Sequence, residues 1–224
     1  MKWGSSVAKV IKEVPLTISR MFYFFVKRIF DIICSLIGVI LIIPISIILK
    51  IIYMINGDFS SIFYKHIRIG KHGKPFYMYK YRTMVPNADE VLKELLKQRK
   101  YKKEWKENHK LEDDPRITKV GKFLRKSSID ELPQFINVLI GDMSLIGPRP
   151  LVPGELDKYK GDHSIYESVR PGITGWWACN GRSDTTYKKR LELEYYYIKY
   201  CSILMDIAVI FLTIKAVLFK TGAK

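Results

Sequence analysis

The sequence has few cysteines, and their placement excludes several kinds of site. Only three of the 224 residues are cysteine, namely Cys34, Cys179 and Cys201. No CxxC pair and no Cys/His metal-ligand spacing occurs, so the sequence does not predict a zinc site. The wide separation indicates a reducing compartment without a disulfide framework. Internal repeats and low-complexity segments are also missing from the sequence.

Acidic residues are scarce as well. The chain carries 22 Asp and Glu against 38 Lys and Arg, which gives a formal net charge of +16. Such a charge predicts an anionic partner, which could be a nucleic acid, a membrane surface or a phosphorylated substrate. The charge alone indicates nothing about the fold. A length of 224 residues suits one domain, or one domain with an appendage.

One long stretch has no charge at all. It covers the eighteen residues 32–49, with the sequence IICSLIGVILIIPISIIL. As a helix this stretch would reach about 27 Å, close to the thickness of the bilayer core. We expect a membrane element rather than a signal peptide, because about thirty residues precede the run and no small-residue cleavage site follows it.

A proline and the flanking charges favour a re-entrant helix over a spanning one. Pro44 lies inside the run, where it removes a backbone donor and predicts a kink or a break. Basic residues flank the run on both sides, and positive charge prefers the cytoplasmic face. The helix is therefore predicted to enter the membrane, bend at Pro44 and leave by the same face. The alternative is one kinked span with a basic outer domain.

The expected fold class is α+β, with a small, mostly helical catalytic domain beside the membrane helix. A basic and aromatic lead covers 1–27, the re-entrant helix 28–55, the catalytic domain 56–201 and an amphipathic interfacial helix 202–224. A packed core helix is the alternative for 202–224. Within the catalytic domain the patterns predict short strands over 56–84 and helices over 87–110, 128–140 and 187–201. The Gly/Pro-rich segment 141–154 is predicted to be a loop.

Asp130 and Glu131 admit two interpretations. Ser128 and Glu131 match a capping box, which would make the pair only the start of a helix. The same position would also place Asp130 among unpaired amides that attract phosphate and lower the pKa of a carboxylate. An ionised carboxylate there could attack phosphorus and form an acyl phosphate. Arg125, Lys126 and Arg149, or a divalent cation, could supply the counter-charge.

Four segments together resemble the bacterial sugar transferases, the monotopic phosphoglycosyl transferases that begin polysaccharide assembly. They are KRIFDIICSLIGVILIIPISIIL, YKYRTM, DPRITKVGKFLRKSSIDELPQFINVLIGDMSLIGPRP and RPGITGWWACNGR, and the resemblance covers about residues 27 to 220. The tail from Gly181 is similar to that of exopolysaccharide-initiating members that use glucose or galactose. The resemblance implies transfer of a hexose 1-phosphate from a UDP-sugar to undecaprenyl phosphate, with Mg²⁺ and release of UMP.

The resemblance also implies a role for individual residues. Asp130 would attack the β-phosphate in a ping-pong mechanism and contact Mg²⁺ through that phosphate, while Glu131 would deprotonate or position the lipid phosphate. Pro44 would be the break of the re-entrant helix. The residues expected to bind substrate are Lys80, Arg125, Arg149, Arg170, Asn180 and Arg182.

The chain departs from the family pattern at the break. Many members have Ser-Pro there, whereas this chain has Ile43-Pro44. A serine hydroxyl could bond a carbonyl that the proline leaves unpaired, and Ile43 cannot. The kink is then expected to be shallower, or Ser46 takes over the bond.

The resemblance places the protein at the bacterial inner membrane with its catalytic domain on the cytoplasmic face. Expected partners are a UDP-sugar, undecaprenyl phosphate, membrane lipid and a second copy of the chain in a homodimer, but not nucleic acid. Two competing functions involve no catalysis. They are a membrane-tethered basic module that binds nucleic acid or anionic lipid, and a scaffold in a polysaccharide assembly complex.

Overall fold

The computed structural model describes residues 18–108, 111–181 and 185–218. Helices dominate this part of the chain and the strands are short, in agreement with the expected fold class. The longest element is α1, which runs from Ile18 to Ile55. It begins ten residues before the predicted start of the membrane helix at residue 28, because the aromatic segment before the apolar run is also helical.

Within the described residues, α1 is the one helix long and apolar enough to cross a membrane by length and composition. Pro44 lies inside α1, and the helix continues on both sides of it. One face of α1 carries exposed apolar side chains, whereas Tyr23, Asp31, Ser35 and Leu49 are buried. The predicted bend at Pro44 and the re-entrant path stay predictions.

Two short sheets follow α1. Strands β1 (Phe63–Ile69) and β2 (Pro75–Tyr81) form the first, joined by a 3₁₀ turn over Lys71–Gly73, as the alternating segment predicts. Strands β3 (Ser144–Ile146) and β4 (Gly172–Thr174) form the second and pair in parallel. The prediction that 141–154 is only a loop is therefore wrong at β3. Three residues paired with a distant segment leave no alternating pattern for sequence reasoning to detect.

The predicted helix over 87–110 is two helices, α2 (Ala88–Leu95) and α3 (Arg99–Asn108). Residues 109 and 110 lie outside the described residues. No proline or glycine marks the break between the two helices. Helix α4 (Lys119–Ser127) follows, and its first turn is capped by Thr118, whose hydroxyl accepts a hydrogen bond from the Gly121 amide at 2.9 Å.

The predicted helix over 128–140 is also divided. Residues Ile129–Glu131 form one 3₁₀ turn, and α5 begins only at Gln134 and ends at Ile140. Ser128 is the reason, because it has a left-handed backbone (φ 57°) that ends α4. Its side chain makes no capping hydrogen bond, so the capping-box alternative is wrong.

The remaining elements are helical. Short helices α6, α7 and α8 span Glu155–Lys158, His163–Tyr166 and Trp176–Cys179, and α9 spans Tyr187–Tyr200 as predicted. Helix α10 runs over Ile203–Leu218, and residues 219–224 lie outside the described residues. Val209 and Asp206 of α10 are buried while Leu204 and Phe211 are exposed, so one face packs on the core and the other is an apolar surface.

The chain forms two compact units. Within the described residues the first unit contains 18–41, 65–79 and 134–218, and the second contains 42–64 and 80–133. The core of the first unit includes a cluster formed by Ile146, Ile165, Val169, Tyr197, Ile198 and Val209. The second unit has its own buried side chains, among them Tyr81, Leu111 and Leu124.

Candidate active site

Asp130 and Glu131 lie in the second unit, in the 3₁₀ turn that follows α4. Lys80, near the end of β2, contacts both of them. Its Nζ donates to Glu131 Oε1 at 2.6 Å and lies 4.0 Å from Asp130 Oδ2. The structure thus places three of the predicted site residues together, although fifty residues separate Lys80 from Asp130.

Asp130 is more deeply placed than its neighbour. It is 9% exposed, whereas Glu131 is only half-buried. Burial raises the pKa of the Asp130 carboxyl; Lys80 and Arg125 oppose this effect, and the charge of Glu131 adds to it. The prediction of a lowered pKa is therefore wrong in direction, because one 3₁₀ turn supplies a weaker field than the start of a long helix and removal from water dominates.

Arg125 is held beside this pair by a close contact between two segments. Its Nε donates to Thr83 Oγ1 at 2.9 Å. A Cβ atom at Gly121 would lie 1.9 Å from the Thr83 carbonyl oxygen, so only glycine lets α4 approach residue 83 this closely. Thr83 and Gly121 are site-supporting residues that sequence reasoning missed, since nothing in a threonine or a glycine by itself signals this contact.

Tyr81 and Ser46 form hydrogen bonds at the segment of α1 around Pro44. In the second unit the Ser46 hydroxyl lies 2.8 Å from the Tyr81 hydroxyl, which donates to the Ile42 carbonyl at 3.2 Å. The predicted bond from Ser46 to a carbonyl stays a prediction, because the Ser46 hydroxyl contacts Tyr81 and it is Tyr81 that donates to the Ile42 carbonyl. Tyr81 is adjacent to Lys80, so the same strand end supports both the helix and the acidic pair.

Arg149 belongs to the first unit and is exposed between two buried prolines. Its backbone is fixed on both sides: the amide donates to Glu194 Oε1 at 2.9 Å, and the carbonyl accepts from the Tyr166 hydroxyl at 3.0 Å. Its guanidinium lies 5.7 Å from the centre of the Trp177 ring. These contacts and the two flanking prolines together fix the backbone position of Arg149.

Glu194 was not singled out from the sequence, yet it is the acid that holds Arg149. Complete burial raises its pKa to about 7, while the Arg149 amide and the charges of Arg190 and Arg149 oppose the shift. Arg190 packs over Trp177 and forms an ion pair with Glu155 at 3.1 Å. The only sequence signal for Glu194 is an acid at a core-facing position of an amphipathic helix.

The remaining predicted binding residues are divided. Asn180 is exposed in the first unit, and its Nδ2 donates to the Trp176 carbonyl at 2.8 Å. Arg170 is also in the first unit, where its Nε donates to the Gly141 carbonyl at 2.7 Å. Arg182 lies outside the described residues. The structure thus gathers Lys80, Arg125, Asp130 and Glu131 in one unit and places Arg149, Arg170 and Asn180 in the other.

Comparison with known proteins identifies the family. The model of the family described as bacterial sugar transferase matches residues 22–220. The chain belongs to the bacterial sugar transferases. Its acidic pair, Lys80 and Arg125 all fall within the matched range.

Three relatives illustrate the range of this sugar transferase family. The chain is 48% identical over 200 residues to the undecaprenyl-phosphate galactose phosphotransferase of Salmonella typhimurium, an alignment that covers 89% of this chain and 42% of the relative. It is 41% identical to the exopolysaccharide production protein ExoY of Sinorhizobium fredii, over 88% of this chain and 87% of that protein. It is 36% identical to the UDP-glucose:undecaprenyl-phosphate glucose-1-phosphate transferase of Escherichia coli, over 84% of this chain and 39% of that protein.

These relatives fall into two size classes. The chain spans less than half of the Salmonella and Escherichia proteins but most of the ExoY protein. The sugar transferase region is therefore common to all three, and the two longer relatives carry additional sequence beyond it.

Proposed function

We propose that this protein transfers a hexose 1-phosphate from a UDP-hexose to undecaprenyl phosphate and releases UMP, as the first membrane step of exopolysaccharide or capsule synthesis. The observation that carries the proposal is the buried Asp130, next to Glu131 and within reach of Lys80, in a chain of the bacterial sugar transferase family. The names of the relatives favour galactose or glucose as the sugar.

The first half-reaction makes a covalent intermediate on Asp130. A carboxylate oxygen attacks the β-phosphorus of the UDP-hexose, and the bond from that phosphorus to the bridging oxygen breaks. The electron pair leaves with UMP, and the hexose 1-phosphate stays on Asp130 as an acyl phosphate. Lys80 stabilises the ionised carboxylate against the effect of burial and attracts the incoming phosphate.

The second half-reaction regenerates the enzyme. A phosphate oxygen of undecaprenyl phosphate attacks the same phosphorus, and the bond between phosphorus and Asp130 breaks with its electron pair returning to the carboxylate. Glu131, which is more exposed than Asp130, accepts a proton from the lipid phosphate or orients it. Because Lys80 bonds Glu131 at 2.6 Å, the two acids have different environments and different roles.

The donor set fits a magnesium ion that is held largely by the substrate. Among the described residues there is no group of three or more His, Cys, Asp or Glu side chains that could hold a metal. Mg²⁺ is commonly bound by one or two carboxylates together with substrate phosphates, and Asp130 and Glu131 are two such carboxylates. The ion, when bound, supplies positive charge to the diphosphate.

Arg125 and Arg149 are the further cations proposed to bind substrate. The family resemblance supports the same role for Arg170, Asn180 and Arg182.

We place the protein at the inner membrane through a re-entrant α1, with its catalytic residues on the cytoplasmic side. A homodimer stays an expectation. The non-catalytic binding and scaffold functions are not favoured, because neither requires a buried acid beside a lysine.

Intact-protein mass spectrometry tests the covalent step. The full chain in lipid nanodiscs is incubated with UDP-galactose or UDP-glucose and Mg²⁺, without acceptor lipid. We expect the wild type to gain the mass of one hexose phosphate and to release UMP, and Asp130→Asn to do neither while remaining folded. Asp113→Asn is the matched control, because Asp113 is an exposed acid in the same unit.

Two outcomes would count against the proposal. An adduct that persists in Asp130→Asn would place the nucleophile on another residue. Failure of the wild type to form an adduct or release UMP with either sugar would reject the transferase function for these donors.

A further inference from the structure

A cavity of about 260 Å³ in the first unit is lined by basic side chains from separate parts of the chain. Lys27 and Arg28 come from α1, Lys71 from the 3₁₀ turn after β1, and Arg170 from the segment before β4. Asp31 is the one acid in the lining. The folded chain therefore concentrates positive charge where the sequence shows only scattered basic residues.

Two of these cations are held in place by backbone carbonyls. Arg28 donates from Nη1 to Val138 O at 2.7 Å and from Nη2 to Leu139 O at 2.9 Å, at the end of α5. Arg170 Nε donates to Gly141 O at 2.7 Å, just beyond the same helix end. Both guanidinium groups are thus fixed by the fold, so an incoming anion meets cations whose positions are already set.

The two lysines of the cavity, Lys27 and Lys71, differ in how their charges are compensated. Lys27 forms an ion pair with Asp206 at 2.8 Å. Within the described residues, neither Lys71 nor Arg170 forms an ion pair with a carboxylate. Burial lowers the pKa of the Lys71 ammonium and the positive charge of Arg170 lowers it further. An anion bound near Lys71 and Arg170 would stabilise the charged form of Lys71 and reduce the repulsion between the two cations.

Part of the remaining lining is apolar and continues onto the surface of α1 around Met21. Met21 and Phe24 line the cavity, and Met21 is 60% exposed. Ile18 and Phe25, one turn to either side of Met21 on the same helix, are also exposed and apolar. A ligand that fits both parts carries a phosphate for the cations and hydrocarbon for the surface of α1, which a soluble nucleotide lacks.

We infer that this cavity binds the phosphate headgroup of an anionic phospholipid, with the acyl chains against the apolar face of α1. This site goes beyond the transferase reaction and does not depend on Asp130. It also gives Arg170 a different ligand from the nucleotide or sugar that the family resemblance implies. Anionic headgroups are commonly held by such clusters of Lys and Arg beside a membrane element.

Thermal stability in defined lipid tests this site. Wild type and Lys71→Gln are compared in nanodiscs of phosphatidylcholine alone and in nanodiscs that contain increasing phosphatidylglycerol. We expect phosphatidylglycerol to raise the Tm of the wild type and to have an affinity for Lys71→Gln that is about fivefold weaker. In phosphatidylcholine alone, Lys71→Gln should be at least as stable as the wild type, because it removes a partly buried charge next to Arg170.

Lys74→Gln is the matched control, since Lys74 ends the same turn, is exposed and does not line the cavity. It should respond to phosphatidylglycerol as the wild type does. An equal response of Lys71→Gln and the wild type would overturn the inference. So would a Lys71-dependent rise in Tm that inorganic phosphate produces without lipid, or one that undecaprenyl phosphate produces and phosphatidylglycerol does not.

Discussion

At the scale of single residues, Asp130 combines two opposed requirements. In the proposed reaction it must be ionised to attack phosphorus, yet the fold removes it from water and raises its pKa. Lys80 at 4.0 Å offsets only part of this effect. A nucleophile held in an unfavourable charge state is a common feature of active sites, where stability is given up for reactivity.

This balance predicts that Asp130→Asn stabilises the protein, and more so at high pH. Because the folded state binds the Asp130 proton more tightly than the unfolded state does, stability falls as pH rises through the raised pKa. At pH 8 we expect Asp130→Asn to raise Tm, and at pH 4 we expect a smaller rise, because more of the folded wild type then carries the neutral carboxyl. Thermal unfolding in detergent at both pH values measures this.

The exposed Asp113 provides the comparison for that measurement, since Asp113→Asn should leave the free energy of unfolding within about 0.5 kcal/mol of the wild type at either pH. A loss of stability in Asp130→Asn at pH 8 would show that Lys80 outweighs burial.

At the scale of elements, the packing of α5 on α1 depends on one glycine. A Cβ atom at Gly38 would lie 2.5 Å from the ring of Phe135, in the first turn of α5. Such a distance is far inside van der Waals contact, and the ring cannot move away as a flexible chain end could. Gly38 therefore sets how closely these two helices of the first unit approach each other.

We predict that Gly38→Ala lowers the free energy of unfolding by about 1–3 kcal/mol through overpacking. Adding Phe135→Ala to Gly38→Ala should recover part of that loss, because the second change makes room for the new methyl group. Ile37→Ala, at an exposed neighbouring position, controls for changes to α1 itself. Simple additivity of the Gly38 and Phe135 substitutions, measured by chemical or thermal unfolding, would contradict the contact.

At the scale of the whole molecule, α1 is the helix among the described residues that could carry the chain into a membrane. Its 38 residues correspond to about 57 Å of helix, well beyond the roughly 30 Å of a bilayer core. The cluster of Lys27, Arg28 and Asp31 lies on the part of α1 that packs into the first unit. We therefore expect the membrane element to be the later part of α1, which contains Pro44.

The predicted re-entrant path has a direct topological consequence. In a variant without native cysteines, Ser19→Cys and Ser60→Cys place one thiol near each end of α1. We expect a membrane-impermeant maleimide to label neither site in intact spheroplasts and both sites after permeabilisation. Labelling of only one of the two in intact spheroplasts would instead establish a helix that crosses the membrane.

Much of the site could be predicted from the sequence because its residues lie in short, ordered segments. Lys80, Arg125, Asp130 and Glu131 were expected as site residues from the family resemblance of those segments, but the ion pairs between Lys80 and the two acids were not predicted. The direction of the Asp130 pKa was not predicted either, because it depends on burial, which is a property of the packed chain. Glu194 and Lys71 were missed for the same reason: a charged side chain has no sequence signal for the depth at which it lies.

The sequence by itself determined which chemical groups are available: an apolar run with a proline, an excess of positive charge and an Asp-Glu pair between basic segments. These follow from residue type and local spacing. Only the tertiary structure decided that Ser128 ends one helix and leaves Asp130 in a single turn, that Asp130 is buried, and that Lys71 and Arg170 share a cavity. The physical reason is that burial and electrostatic environment depend on segments far apart in the chain, which no local pattern records.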